Sequence, residues 1–213
     1  MKRFIVASCL AVVLAGGIAS SANAQGLQFG VRAGMSMNMF SIDETGAPDF
    51  DMGFGFGGGL ALKYAFTEQL SLNPEVSFYY RTLGSYSTDL FGLAKMEASF
   101  NEMAVSIPIL VQYAPIADVP LYVTGGIQLD IPFSTKAKVE MTYLGETEKE
   151  EEDASDERAS VDIGIAVGVG YMILPNLGVD FRYVFNVNQP FDEDKTASKS
   201  SLMSMGLGIT YLF

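Results

Sequence analysis

From Val161 onward the chain places apolar side chains at every second position, Val161, Ile163, Ile165, Val167, Val169, Tyr171 and Ile173. Between them stand Asp162, Gly164, Ala166, Gly168, Gly170 and Met172. A period of two belongs to a strand, whereas helical spacing would scatter these residues around a cylinder. The beat returns in Leu177, Val179, Phe181, Tyr183, Phe185 and Val187, and again in Met205, Leu207, Ile209, Tyr211 and Phe213. Earlier strands are predicted over Leu27 to Asn38, Met52 to Phe66, Leu70 to Thr82, Ser99 to Tyr113 and Leu121 to Phe133. With the last, from Leu202 to Phe213, the count is eight, each about long enough to cross a bilayer when tilted.

The connections alternate in length. Short turns fall at Thr67 to Gln69, Ala114 to Pro120 and Leu174 to Asn176. Longer segments fall at Met39 to Asp51, Leu83 to Ala98, Ser134 to Ser160 and Gln189 to Ser201. Short turns on one rim and long segments on the other follow the plan of outer-membrane barrels, in which the long segments face outside the cell.

Alternation alone does not decide which face is wet, because a soluble lipocalin-like barrel would turn its apolar set inward around a small ligand. The polar set here is mostly Gly, Ala and Ser rather than Lys and Glu, which suits a crowded interior better than a watery exterior. The tight turn at Thr67 to Gln69 sets Arg81, Tyr79 and Ser77 opposite Gly55, Gly57 and Gly59. The turn at Pro175 likewise sets Arg182 and Asp180 opposite Gly168 and Gly170. Large inward side chains thus meet missing ones, as close packing requires. The apolar set carries Phe54, Phe56, Tyr64, Phe66, Phe78 and Tyr80, and later Tyr171, Phe181 and Tyr211, in the manner of aromatic girdles at the membrane interfaces, with Tyr in place of the absent Trp. The fold expected is all-β: an eight-stranded, antiparallel, up-and-down transmembrane β-barrel.

A cleavable signal peptide is expected to precede it. Lys2 and Arg3 lead into an apolar stretch from Phe4 to Ile18, which closes on Ala22-Asn23-Ala24; this is the order of a secretory signal, and it is too short for a spanning helix. Cleavage is expected between Ala24 and Gln25, giving a signal over residues 1–24 and a barrel over 25–213. Taking Lys2 and Arg3 from a formal charge of −12 leaves −14, and the single cysteine departs as well. So acidic a chain is no partner for nucleic acid, whose phosphates require a basic stripe.

The closing strand ends in Tyr211-Leu212-Phe213. This Tyr-x-Phe ending resembles the assembly signal of bacterial outer-membrane barrels. The whole mature chain resembles the small porin-like outer membrane protein beta-barrel domain group common in Bacteroidetes, related in architecture to the OmpA/OmpX barrels. The resemblance implies residence in the outer membrane of a Gram-negative bacterium, contact with its lipid, and insertion by the barrel-assembly machinery, with Tyr211 and Phe213 carrying the signal. It implies no single activity, since members include adhesins, secretion accessories and uncharacterised small barrels. The cell-wall-binding domain of OmpA is not expected after Phe213.

Candidate chemistry is sparse. The sequence has no His, and its mature form no Cys, so histidine-dependent hydrolysis and ordinary zinc sites are not expected, nor is a cofactor. Gly53-x-Gly55-x-x-Gly58 matches a dinucleotide fingerprint, but it alternates with Phe54 and Phe56 inside a strand, with no helix to follow. The inward charges are Arg32, Lys63, Glu75, Arg81, Asp130, Asp162, Asp180 and Arg182, four of each sign. Pairing is expected among them, with Lys63 and Glu75 as diagonal neighbours and Asp180 and Arg182 about 7 Å apart on one face. The other charged group is Glu146, Glu148, Glu150, Glu151, Glu152, Asp153, Asp156 and Glu157, expected to form a solvated, flexible outward loop, with weak calcium or basic-partner binding as the sharper reading. The function expected is a non-enzymatic barrel acting structurally, or through its long outer loops on an extracellular partner that the sequence does not name. A narrow passive channel is the first alternative and the soluble binding barrel the second.

Overall fold

The computed structural model describes residues 26–43, 50–90, 94–116, 119–143, 146–155, 158–191 and 199–213. The expected signal peptide and its cleavage site at Ala24 and Gln25 lie outside them, as do Asp156 and Glu157. The described chain is all strand: β1 (Leu27–Asp43), β2 (Asp51–Ala65), β3 (Leu70–Leu90), β4 (Ala94–Tyr113), β5 (Leu121–Tyr143), β6 (Glu146–Asp153), β7 (Asp162–Leu174), β8 (Leu177–Asn186) and β9 (Lys199–Leu212).

Eight of these strands close a ring, each antiparallel to its neighbours. The ladder runs from β4 through β3, β2, β1, β9, β8 and β7 to β5, and pairing of β4 with β5 shuts it. The first and last strands meet from Gly30 opposite Leu212 to Asp43 opposite Lys199, so the ring has no open seam. A membrane wall has to be closed in this way, because a free edge would leave backbone polar groups in hydrocarbon without partners. The pairings expected from the two tight turns are present: Gly55, Gly57 and Gly59 stand opposite Arg81, Tyr79 and Ser77, and Gly168 and Gly170 opposite Arg182 and Asp180.

The pleat is oriented as the lipid reading requires. Phe54, Phe56, Ile165, Val167 and Phe181 are exposed on the outer wall, while Asp180 and Arg81 are buried inside. At the short-turn rim the aromatic rings pack edge to face, Tyr64 on Phe66 and Tyr211 on Phe213, with centroids 5.0 and 5.5 Å apart. Two short turns on this rim are fastened by the chain itself. Leu70 N–H donates to Thr67 Oγ1, and Leu212 N–H donates to the Asn176 carbonyl.

The opposite rim departs from the expectation. The sequence pattern predicts connecting loops over Leu83 to Ala98 and Ser134 to Ser160, yet β3, β4 and β5 continue far into them, and a ninth strand, β6, pairs with β5 alone. The flexible acidic loop is therefore corrected: Glu146, Glu148, Glu150, Glu151, Glu152 and Asp153 lie in a hydrogen-bonded strand. Its register against β5 runs from Lys136 opposite Asp153 to Tyr143 opposite Glu146. Two effects favour the strand over a loose loop. Lysines of β5 face carboxylates of β6, and the β-forming residues Val139 and Tyr143 extend a ladder that β4 already templates. A four-stranded crest from β3, β4, β5 and β6 thus rises above the wall on the long-hairpin side.

Candidate functional site: the ion-paired lumen

The inward positions of the ring build two layers of ion pairs along its axis. In the layer nearer the short turns, Arg32 of β1 donates to Asp180 of β8, with Nη2 2.7 Å from Oδ1, and to Thr210 Oγ1 at 3.0 Å. Arg182 of β8 forks onto Glu75 of β3, Nη1 and Nη2 lying 3.1 and 2.9 Å from the two carboxylate oxygens. Arg32 Nε stands 3.4 Å from the same Glu75. The flexible ammonium of a lysine in place of Arg32 or Arg182 would not reproduce this planar two-bond match, which is the reason guanidinium suits such sites.

The second layer lies toward the long hairpins. Arg81 of β3 donates to Glu102 Oε1 at 2.7 Å, to Asp130 at 3.0 Å and to Asp162 at 3.4 Å, so one guanidinium ties together β3, β4, β5 and β7. Arg158, on the segment between β6 and β7, reaches two of the same carboxylates: Nε donates to Glu102 Oε2 at 2.6 Å and Nη2 to Asp162 Oδ2 at 2.7 Å. It also donates to the Pro190 carbonyl and lies over the Phe191 ring, 5.2 Å from its centroid. Gln128 Nε2 donates to Asp130 at 3.0 Å. Above this layer Phe40, Leu83, Phe191 and Leu202 form a buried apolar cap, with Ile42, Phe50 and Phe100 packed against it.

Seven of the eight inward charges expected from the sequence join these layers, and one expected pairing is corrected. Lys63 makes no ion pair among the described residues: Glu75 is its diagonal neighbour, but two arginines occupy that carboxylate. Asp180 and Arg182 pair as expected but at 3.9 Å, since each finds its main partner on another strand. Two further members, Glu102 and Arg158, lie outside the expected set. Glu102 carries a signal in the sequence, for it shares the parity of the buried Ala104 and Ser106 on β4. Arg158 carries none, because it stands outside the alternating runs, and besides the nearby Asp162 its partners Glu102 and Pro190 are distant in sequence.

Two small cavities flank the first layer. A cavity of about 50 Å³ touches Ser36, Ser77 and Tyr79 on the long-hairpin side of the first layer, and one of about 40 Å³ touches Lys63, Asn73 and Gln112 on the other. Arg32, Glu75 and Arg182 line both, so this layer stands between them. At about 10–15 Å³ for each water-sized centre, each cavity holds a few waters. Among the described residues no group of His, Cys, Asp or Glu is arranged to hold a metal ion.

A closed antiparallel ring, apolar outside and ion-paired inside, defines an integral membrane β-barrel. The chain belongs to the outer membrane protein beta-barrel domain family, which residues 19–192 match; it is an outer-membrane protein. Its fold is similar to that of Neisserial surface protein A, at 14% identity over 89% of this chain and 100% of that one, TM-score 0.48. It is similar also to the attachment invasion locus protein of Yersinia pestis, at 14% identity over 88% and 99%, TM-score 0.41. A third is OprG from Pseudomonas aeruginosa, at 13% identity over 88% and 96%, TM-score 0.39. No curated protein matches the sequence.

Proposed function

We propose that this chain is a non-enzymatic barrel whose lumen is a structural core and whose long-hairpin rim, facing outside the cell, carries its interactions. The observation that supports this most is the filling of the lumen by two ion-pair layers and an apolar cap, with cavities of about 50 and 40 Å³ on the two sides of the first layer. Eight strands leave an interior about wide enough for side chains, and here the side chains are held by one another. Insertion by the barrel-assembly machinery, with Tyr211 and Phe213 as its signal, belongs to the same reading.

The competing reading is a narrow passive channel, and planar-bilayer recording of the full chain separates the two. The expected result is a quiet membrane. Discrete conductance steps that shift on Arg182→Ala would overturn the structural reading in favour of the channel.

A further inference from the structure

The two faces of the β5–β6 hairpin differ in a way that the proposed surface role does not by itself explain. On the face continuous with the lipid-facing wall, charges are matched: Lys136 and Lys138 pair with Glu151, Lys149 with Glu140 at 2.7 Å, and Thr142 with Thr147 at 3.1 Å. The other face continues the lumen side. Thr135 fixes this assignment, being buried and within 3.4 Å of the lumenal Glu102, and alternation then places Ala137, Val139, Met141 and Tyr143 on its side of the sheet.

Across the ladder these residues meet acids rather than bases: Glu152 stands opposite Ala137, Glu150 opposite Val139, and Glu148 opposite Met141. None of the three glutamates has an ion-pair partner among the described residues, and all are exposed. On the other side of β5, Met96 and Ala98 of β4 lie opposite Met141 and Val139 and widen the apolar strip. Met141 is 47% exposed and Tyr143 59%. The result is a sheet face with a greasy centre and an acidic border whose charges repeat about every 7 Å.

We propose that this inner face of the crest docks a cationic amphipathic peptide segment, its apolar side on Val139, Met141 and Tyr143 and its cations on Glu148, Glu150 and Glu152. Charge complementarity selects the occupant. A neutral apolar partner would leave three carboxylates desolvated without compensation, and an anionic one would be repelled. A purely ionic ligand would gain nothing from the exposed Met141 and Tyr143. The inference rests on the surface-interaction reading and names the class of partner for it.

The test is binding of a fluorescent Lys/Leu amphipathic peptide to the full chain in neutral lipid nanodiscs, with the signal of empty discs subtracted. The triple variant E148Q/E150Q/E152Q should weaken binding about tenfold, the scale expected of a few exposed charge pairs, and M141T/Y143T should weaken it several-fold. The pair K149Q/E140Q, on the other face and neutral in net charge, should leave binding unchanged. Retained heat-modifiable gel mobility shows that each variant is folded. Wild-type affinity in the triple variant would overturn the proposal. So would equal binding of a Lys/Ser peptide of the same charge, which would reduce the effect to unspecific attraction. Conductance steps alongside peptide binding would sink the structural reading of the lumen while leaving the docking face standing.

Discussion

A methyl group added at Gly59 would lie 1.9 Å from the Val76 carbonyl oxygen, which the β2–β3 ladder holds in place. At Gly125 it would meet nothing within 4 Å. Gly59→Ala is therefore expected to destabilise the barrel by about 1–3 kcal/mol, the usual cost of overpacking. Gly125→Ala should be neutral or stabilising by up to about 1 kcal/mol. Urea titration of the refolded protein, read by gel mobility, distinguishes them. Among the charges Arg81 matters most, because it pairs with three carboxylates and is the one ion-pair partner of the buried Asp130 among the described residues. Arg81→Met should cost about 3–5 kcal/mol in the same titration, the range for a buried ion left without its partner. The glycines opposite Arg81 and Tyr79 were legible in the sequence, since a tight turn fixes register and register fixes which residues must yield space. The choice of partner was not legible: Glu75 is reached by arginines from β1 and β8, and turn geometry on β2 and β3 does not foresee them.

At the scale of elements, the strands were legible wherever one face had to be apolar for lipid. That constraint ends where the crest leaves the membrane. From Lys136 to Tyr143 β5 still alternates polar with apolar, but β6, from Glu146 to Asp153, is polar on both faces, so charge density suggests a loop where cross-strand pairing makes a hairpin. The hydrogen bond from Lys136 holds the Glu151 carboxyl below its ordinary range, and the nearby Lys138 adds to the effect. A depressed carboxylate stabilises the fold above its unfolded value of about 4.3 and loses that contribution as the pH falls through the folded value. Amide exchange in β6 should therefore quicken in that acid window, modestly, because the pair is exposed and screened by salt. Unchanged exchange rates through the window would show that backbone pairing alone holds the hairpin.

For the whole molecule, closure and crest are separable. The ring is complete through β4–β5 and β5–β7 pairing below the crest. Replacing residues 139–150 by a tight turn should thus leave a folded, heat-modifiable barrel, and loss of that gel shift would show the crest to be needed for folding. Arg32 carries one more consequence. It sits on the first strand of the ring, and its main partner, Asp180, sits on the strand beside the last. In a sheet that has not closed, Arg32 keeps only its longer contact with Glu75, and Asp180 only that with Arg182. The strong pair forms when the two chain ends have joined hands, so it acts as a latch whose stabilisation belongs to the finished cylinder alone.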